Sequence, residues 1–210
     1  MQIIEPAVKI IQMPSYRDAL EIIEAAARTC YKSEDKIKDG SAVDLIRRCI
    51  RQGHESVLEH VSITLRLTCD RGVSHELVRH RIASFSQEST RYVKYGDVQY
   101  VEPWWWNAEP HDFDLQDKIV EYFWLCQDLY STILASGMAP QAARAVLPNA
   151  VKTEVVMTAN LREWRHVFKL RTSKAAHPDM QRIMNIALSA MKLMLPVFFE
   201  DISNEEDACR

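Results

Sequence analysis

Glycine stands at only five positions, Gly40, Gly53, Gly72, Gly96 and Gly137, each isolated from the others. A loop that cradles phosphate on its backbone needs several glycines within a few residues, because the main chain must approach the ligand where a Cβ would stand. Neither a G-x-G-x-x-G nor a P-loop can be written from this chain, so a dinucleotide would not be held in Rossmann fashion. Phosphates must instead meet arginines, hydroxyls and helix starts. At 210 residues, 47% hydrophobic and 26% charged, the chain can bury roughly 70% of its unfolded surface, enough for one real core. Its net charge of −3 and pI of about 6.2 imply no global attraction to nucleic acid or membranes. Local basic clusters on such a chain point to pockets for small anions. No apolar run approaches the ~20 residues that span a bilayer, and Met1-Gln2-Ile3-Ile4-Glu5 lacks the layout of a signal peptide. The five cysteines are scattered, odd in number and form no C-x-x-C, against both disulfides and a zinc ribbon. A reducing cytoplasm fits.

Helix and strand signals alternate along the chain. Ser15 is placed to cap a helix over 15–29, in which Leu20, Ile23 and Ala27 repeat at helical spacing. Lys32 to Gly40 reads as a charged loop, after which Ser41 caps a second helix stopped by Gly53. Residues 61–68 alternate apolar Val61, Ile63, Leu65 and Leu67 with Ser62, Thr64, Arg66 and Thr68, the pattern of a half-buried strand. Asp70 then caps a helix that runs into residues 79–92. The stretch Val93 to Val101 reads as strand, broken near Gly96-Asp97. Leu115, Ile119, Tyr122, Cys126, Leu129 and Ile133 predict a long amphipathic helix ended by Gly137. Pro140 opens a short helix through Arg144, closed by Pro148, and 151–159 favours a strand. Asn160 caps a helix over 161–172 whose basic face carries Arg162, Arg165, His166 and Lys169, with Trp164, Val167, Phe168 and Arg171 directed inward. A last helix starts at Pro178 and is kinked or ended by Pro196; the acidic tail from Glu200 to Arg210 is expected to fray. With no repeat, linker or low-complexity segment, residues 1–210 read as a single compact unit.

Three regions carry candidate chemistry. Arg79, His80 and Arg81 come in tandem, followed by Ser84, Ser86, Gln87, Ser89 and Thr90 and closed by Arg91 and Tyr92. A guanidinium fork donates two parallel charge-assisted bonds, so the cluster suits a phosphate-bearing ligand; the plainer reading is a solvated basic helix end before a polar turn. His54, Glu55, Glu59 and His60 invite a metal, but an H-E-x-x-H zinc site needs histidine where Leu58 stands. Arg171 is costly if it points inward unpaired, which marks a site; equally, it can reach past the helix end to water. Three adjacent tryptophans, Trp104 to Trp106, cannot all enter one core, so a loop anchored by its aromatics stands beside packing on a subunit or ligand. No Cys-His pairing marks a thiol nucleophile. On residues alone, a nucleic-acid-binding module using Arg79, Arg81 and Arg91 on phosphates, or a non-catalytic nucleotide-binding module, remains open beside an enzyme.

The stretch 79–92 closely resembles the signature of flavin-dependent thymidylate synthases, R-H-R-x-x-S-x-x-x-x-S-x-R-Y. Arg79, His80, Arg81, Ser84, Ser89, Arg91 and Tyr92 fill every specified position. Ser86-Gln87 departs from the Asn-Glu of many members. Gly53 to His60 matches a G-H-x-[ST]-x-x-E-H stretch of the same family, Ala143 to Pro148 an A-R-x-x-L-P block, and Asn160, Arg162, His166 and Arg171 an N-x-R-x-x-x-[NH]-x-x-x-x-R pattern. The resemblance runs in order from about residue 25 to 172. It implies an α+β fold, an antiparallel β-sheet flanked by helices and not of Rossmann type. It also implies methylation of deoxyuridine monophosphate to thymidine monophosphate, with methylenetetrahydrofolate as carbon donor, FAD as hydride carrier and NADPH as reductant. His54, Ser56, Arg79, His80, Arg81 and Gln87, with Asn160, Arg162 and His166, are then expected to hold FAD. Glu76, Arg79, Gln87, Glu88, Ser89 and Thr90, with Arg91, Arg144 and Arg171, are expected at the nucleotide, and Arg171 is the expected catalytic group. No metal is expected. The family forms homotetramers, which implies sites at subunit interfaces.

Overall fold

The structure is a computed structural model that describes residues 1–109 and 112–203. Its elements run β1 (Gln2–Ile4), β2 (Ala7–Gln12), α1 (Tyr16–Thr29), α2 (Ser41–Arg51), β3 (Ser62–Asp70), α3 (Arg71–Leu77), β4 (Ala83–Gln87) and β5 (Gln99–Val101). They continue with α4 (Phe113–Ala135), α5 (Pro140–Ala143), β6 (Lys152–Asn160), α6 (Leu161–Arg171), α7 (Pro178–Met194) and α8 (Pro196–Phe199). Short 3₁₀ turns cover Glu34–Lys36, Glu55–His60 and Arg144–Val146. The main sheet is antiparallel, four-stranded, in the order β2-β3-β6-β4. This is the α+β architecture expected. A second, parallel pair joins β1 to β5, with Ile3 opposite Tyr100.

Local chemistry explains most boundaries. Ser15, Asp70 and Asn160 each accept a hydrogen bond from the backbone N–H three residues on, the N-cap geometry their side chains favour. Ser41 is different: Gly40, at φ 76°, precedes α2, and Ser41 is already helical. Its hydroxyl donates to the Glu24 carboxylate at 2.6 Å and accepts from the Lys38 backbone N–H, so it ties α2 to α1 instead of capping. The expected alternation buries Val61, just before β3, then Ile63, Leu65 and Leu67 within it, and continues to Cys69.

The structure corrects several other expectations. The helix capped by Asp70 stops at Leu77 and does not enter the 79–92 stretch; Ala83–Gln87 is a strand in place of a polar turn. The sheet partner β6 overrides the serine-rich local sequence there. Only Gln99–Val101 of the 93–101 stretch is strand. In α4 the buried stripe is Phe123, Cys126 and Tyr130, while Leu115, Tyr122 and Leu129 of the expected face are exposed. Arg165 belongs inside and not on a basic face. Pro196 ends α7 by opening α8, and Glu200 and Asp201 are held by ion pairs, so the start of the acidic tail does not fray. Residues 204–210, Cys209 included, lie outside the described residues. Cys30, Cys49, Cys69 and Cys126 are free thiols. Among the described residues no helix is long and apolar enough to cross a membrane.

Contacts divide the chain into two compact units, with limits inside β2, β3, β4 and β6 and one between α3 and β4, after Arg79. One unit comprises Met1–Ala7, Leu67–Arg79 and Ser86–Val156. Its core is built on Val98, Tyr100, Phe123, Tyr130, Ala143 and Val151, with the Tyr100 and Phe123 rings stacked at 4.1 Å. The other comprises Val8–Arg66, His80–Phe85 and Met157–Arg210. There Trp164 stacks on Phe168 at 5.5 Å and Phe168 meets Phe199 edge-on, over the buried faces of α1, α2, α7 and α8.

Candidate active site

Helix α6 organises the candidate site of the second unit. Leu161, Trp164, Val167 and Phe168 recur at helical spacing and are fully buried. The Trp164 indole N–H donates to the carbonyl of Ile63 at 3.0 Å, so the rotation of α6 about its axis is set by packing. Glu163 and His166, at i and i+3, share the neighbouring stripe, while Arg171, in the last turn, projects beside Val167 and Trp164.

That stripe receives His80 from the signature. His80 is only 5% exposed. Its Nε2 accepts from Arg171 Nε at 3.1 Å, its Nδ1 lies 3.5 Å from Glu163 Oε1, and its ring meets that of His166 edge-on at 5.8 Å. A guanidinium can only donate, so Nε2 carries a lone pair. The network therefore assigns a neutral imidazole with its proton on Nδ1, facing the Glu163 carboxylate. Burial, followed by the nearby Arg171 and His166, pushes the His80 pKa down to about 4. The ligand atoms of His80, Glu163 and His166 lie within 4.8 Å of one another. Arg171 already donates to one imidazole nitrogen, and its charge opposes a cation beside it.

The other expected flavin contacts in this unit gather around the same helix. His54 and Ser56 are exposed at the 3₁₀ turn Glu55–His60, which packs on α6. Arg162 is exposed and pairs with Glu59 of that turn. Asn160 spends its Oδ1 on the α6 cap. Arg81 and His166 are exposed. Exposed guanidinium, imidazole and hydroxyl groups around one helix start are the donor set that a phosphate-bearing, aromatic cofactor requires, so the residues fit a flavin nucleotide.

Arg165, which sequence projection put on the basic face, is a structural group. Its Nη1 and Nη2 each donate to an Asp201 carboxylate oxygen at 2.7 Å, Nη1 also reaches the carbonyl of Phe198, and Nε approaches Glu55 at 3.4 Å. Although burial opposes it, this bonding holds the Asp201 carboxyl below its usual range.

Of the expected nucleotide contacts of the first unit, Gln87 and Glu88 bond to residues of β6. Thr90 is buried, and its hydroxyl accepts from Arg144 Nη1 at 3.3 Å. Glu88 accepts from Lys152 Nζ at 3.0 Å, and Lys152 also pairs with Glu154. The Ser89 hydroxyl accepts from the Arg91 backbone N–H, and the Arg91 guanidinium lies 5.3 Å over the Tyr92 ring. Gln87 is turned inward: its amide donates to Ser74 and Thr153 hydroxyls, so the residue that departs from the family pattern braces β4 and β6. Arg79 is exposed and Glu76 half-buried on α3 and its exit. Sequence reading overlooked Glu163, Lys152 and Thr153. For Glu163 the signal existed: it stands three residues before His166.

An antiparallel sheet with flanking helices, and arginine clusters in place of glycine loops, define an α+β protein of non-Rossmann type. The family model described as thymidylate synthase complementing protein matches residues 12–197. The flavin-dependent thymidylate synthase of Mycobacterium tuberculosis is 36% identical over 198 residues, covering 86% of this chain and 78% of that one. That of Corynebacterium efficiens is 34% identical over 199 residues, covering 88% and 80%. A crystal structure of the UMP/dUMP methylase PolB from Streptomyces cacaoi, bound with 5-Br dUMP, superposes with a TM-score of 0.81 at 25% identity over 95% of this chain and 96% of that one. The chain belongs to the flavin-dependent thymidylate synthases, a family of enzymes.

Proposed function

We propose that this protein methylates deoxyuridine monophosphate at the five-position of uracil, with methylenetetrahydrofolate as carbon donor, FAD as the bound flavin and NADPH as reductant. The observation that carries the reading is the bond from Arg171 at the end of α6 to His80 of the signature. It joins the two most specific sequence blocks around one oriented guanidinium. Uracil C5 is a weak nucleophile, and a fixed guanidinium beside the ring stabilises the negative charge that develops as the ring nitrogen loses its proton. Arg171 has that role here. Arg91 and Arg144, with Glu76, Arg79 and residues 87–90, bind the nucleotide; Thr90 orients Arg144. His54, Ser56, Arg81, Arg162 and His166, with Arg79, His80, Gln87 and Asn160, hold the flavin. When bound, that group supplies the hydride.

Residues 1–210 act as one catalytic domain in this reading, within a cytoplasmic homotetramer that completes its sites at subunit interfaces. A dinucleotide, a nucleotide, a folate and NADPH exceed the deep clefts a chain of this size offers alone. The test supplies FAD-loaded protein with all three substrates and measures thymidylate, flavin absorbance and mass by light scattering. Thymidylate formed by a yellow tetramer is expected. Well-folded, flavin-loaded protein that reduces FAD yet makes no thymidylate overturns the reading.

A further inference from the structure

We infer that Glu163 is a positioning residue: through the His80 imidazole it sets the orientation of the Arg171 guanidinium. The inference rests on the catalytic role proposed for Arg171, and it adds a residue that stands at an unspecified position of the 160–171 block. Three observations lead to it. First, Glu163 is 7% exposed on the inner stripe of α6, an expensive place for a carboxylate unless something there uses it. Second, its Oε1 stands 3.5 Å from His80 Nδ1, while Nε2 on the opposite side of the ring accepts from Arg171 Nε at 3.1 Å. Third, an imidazole has two neutral tautomers, and only the one protonated at Nδ1 leaves Nε2 able to accept.

The carboxylate favours that tautomer, because it attracts the Nδ1 proton and repels a lone pair. Without it, the tautomer protonated at Nε2 gains population, and an N–H then points at the Arg171 N–H. The Arg171 Nε then loses its bond to the ring, and the orientation that bond enforced is relaxed. A carboxylate that fixes the tautomer of an imidazole, which in turn fixes a working group, acts at a distance without touching the ligand. His166, at the ring edge, and Arg171 are the other charged or titratable groups described around this imidazole.

The test combines selective ¹⁵N-histidine spectra with single-turnover methylation in the flavin-loaded protein, for Glu163→Ala and the shape-preserving Glu163→Gln. His80→Gln assigns the resonance. The native His80 should show a protonated Nδ1 and a bare Nε2, and Glu163→Ala should shift it to a tautomer mixture. Glu163→Gln, whose amide oxygen still accepts, should lie between. Methyl transfer should fall ~10-fold in Glu163→Ala, with KM for deoxyuridine monophosphate within about twofold of native. In an Arg171→Lys background the same change should cost less than about twofold, since the group it orients is gone. An unchanged His80 tautomer in Glu163→Ala, or equal costs in the two backgrounds, overturns the inference. If Arg171→Lys itself turns over normally, the role of Arg171 has failed, and the tautomer measurement alone decides whether Glu163 orients His80.

Discussion

Arg165 and Arg171 leave the same helix fewer than two turns apart, yet they end in opposite environments. Arg165 is sealed, its side chain 1% exposed, and it is answered by the two oxygens of Asp201 and by Glu55. Arg171 stays half-buried, and its Nε is held by an imidazole that carries no charge. A carboxylate partner neutralises a guanidinium and turns it into a staple, here between α6 and the segment after α8. The His80 imidazole, a neutral acceptor, directs the Arg171 Nε without itself cancelling the charge. The difference separates an arginine that staples the fold from the one proposed to do chemistry.

The largest expected effect tests the chemical side of that contrast. Arg171→Ala should lower thymidylate formation on the order of a hundredfold or more, with flavin reduction by NADPH retained and the thermal midpoint almost unchanged. Arg171→Lys keeps the charge but loses the planar fork, so it should recover little activity. Normal turnover in either variant would erase the distinction.

Arg165→Ala should do the reverse. Removing one partner of a buried pair typically costs 3–5 kcal/mol; Asp201 is 41% exposed and can rehydrate, so about 2–3 kcal/mol is expected. Urea unfolding reads this directly, and flavin affinity should change far less. A loss under about 0.5 kcal/mol would show that the staple is ornamental.

Lowering the pH tests the neutral acceptor itself. The His80 pKa falls from 6.5 in the unfolded chain to about 4 in the folded one, so between these values the unfolded state binds more protons. Stability therefore rises with pH across that window and is lost as the pH drops through it. His80 should contribute ~1.5 kcal/mol of loss between pH 6.5 and about pH 5, seen as the difference between native protein and His80→Gln. Identical pH profiles would mean that His80 is not held neutral.

The smallest effect carries the idea to the other unit, where Arg144 is oriented by a neutral hydroxyl. Thr90→Val removes that acceptor at almost constant shape and should raise KM for deoxyuridine monophosphate about two- to fivefold. Flavin binding, measured by fluorescence quenching, should stay at the native value. A change in flavin affinity of similar size would place Thr90 in a different role.

Much of this was legible before any coordinates. The caps at Ser15, Asp70 and Asn160 depend on one side chain and a backbone three residues away, and all three hold. The alternation of residues 61–68 is equally local. Misreadings arose where a distant partner outweighed local preference. Ser84 and Ser86 favour a turn, but β6 draws them into a strand. Arg165 projects near the basic face on an ideal helical wheel, yet Asp201, 36 residues away, supplies the carboxylate that lets it be buried.

The candidate site divides along the same line. Sequence by itself determined which groups are available: scarce, isolated glycines that leave phosphate to side chains, and motif blocks holding His80, Arg91, Arg144, His166 and Arg171. It also put His166 on the basic face of α6 and Arg171 on the inward side, because helix period is a property of the local backbone. Only the tertiary structure decided that His80, 91 residues before Arg171, would lie against Glu163 and His166 and accept from Arg171. The same holds for Gln87, which folds inward onto Ser74 and Thr153. The reason is physical: a hydrogen bond is set by angles and a few ångströms, and chain position constrains neither once strands and helices from distant segments pack together.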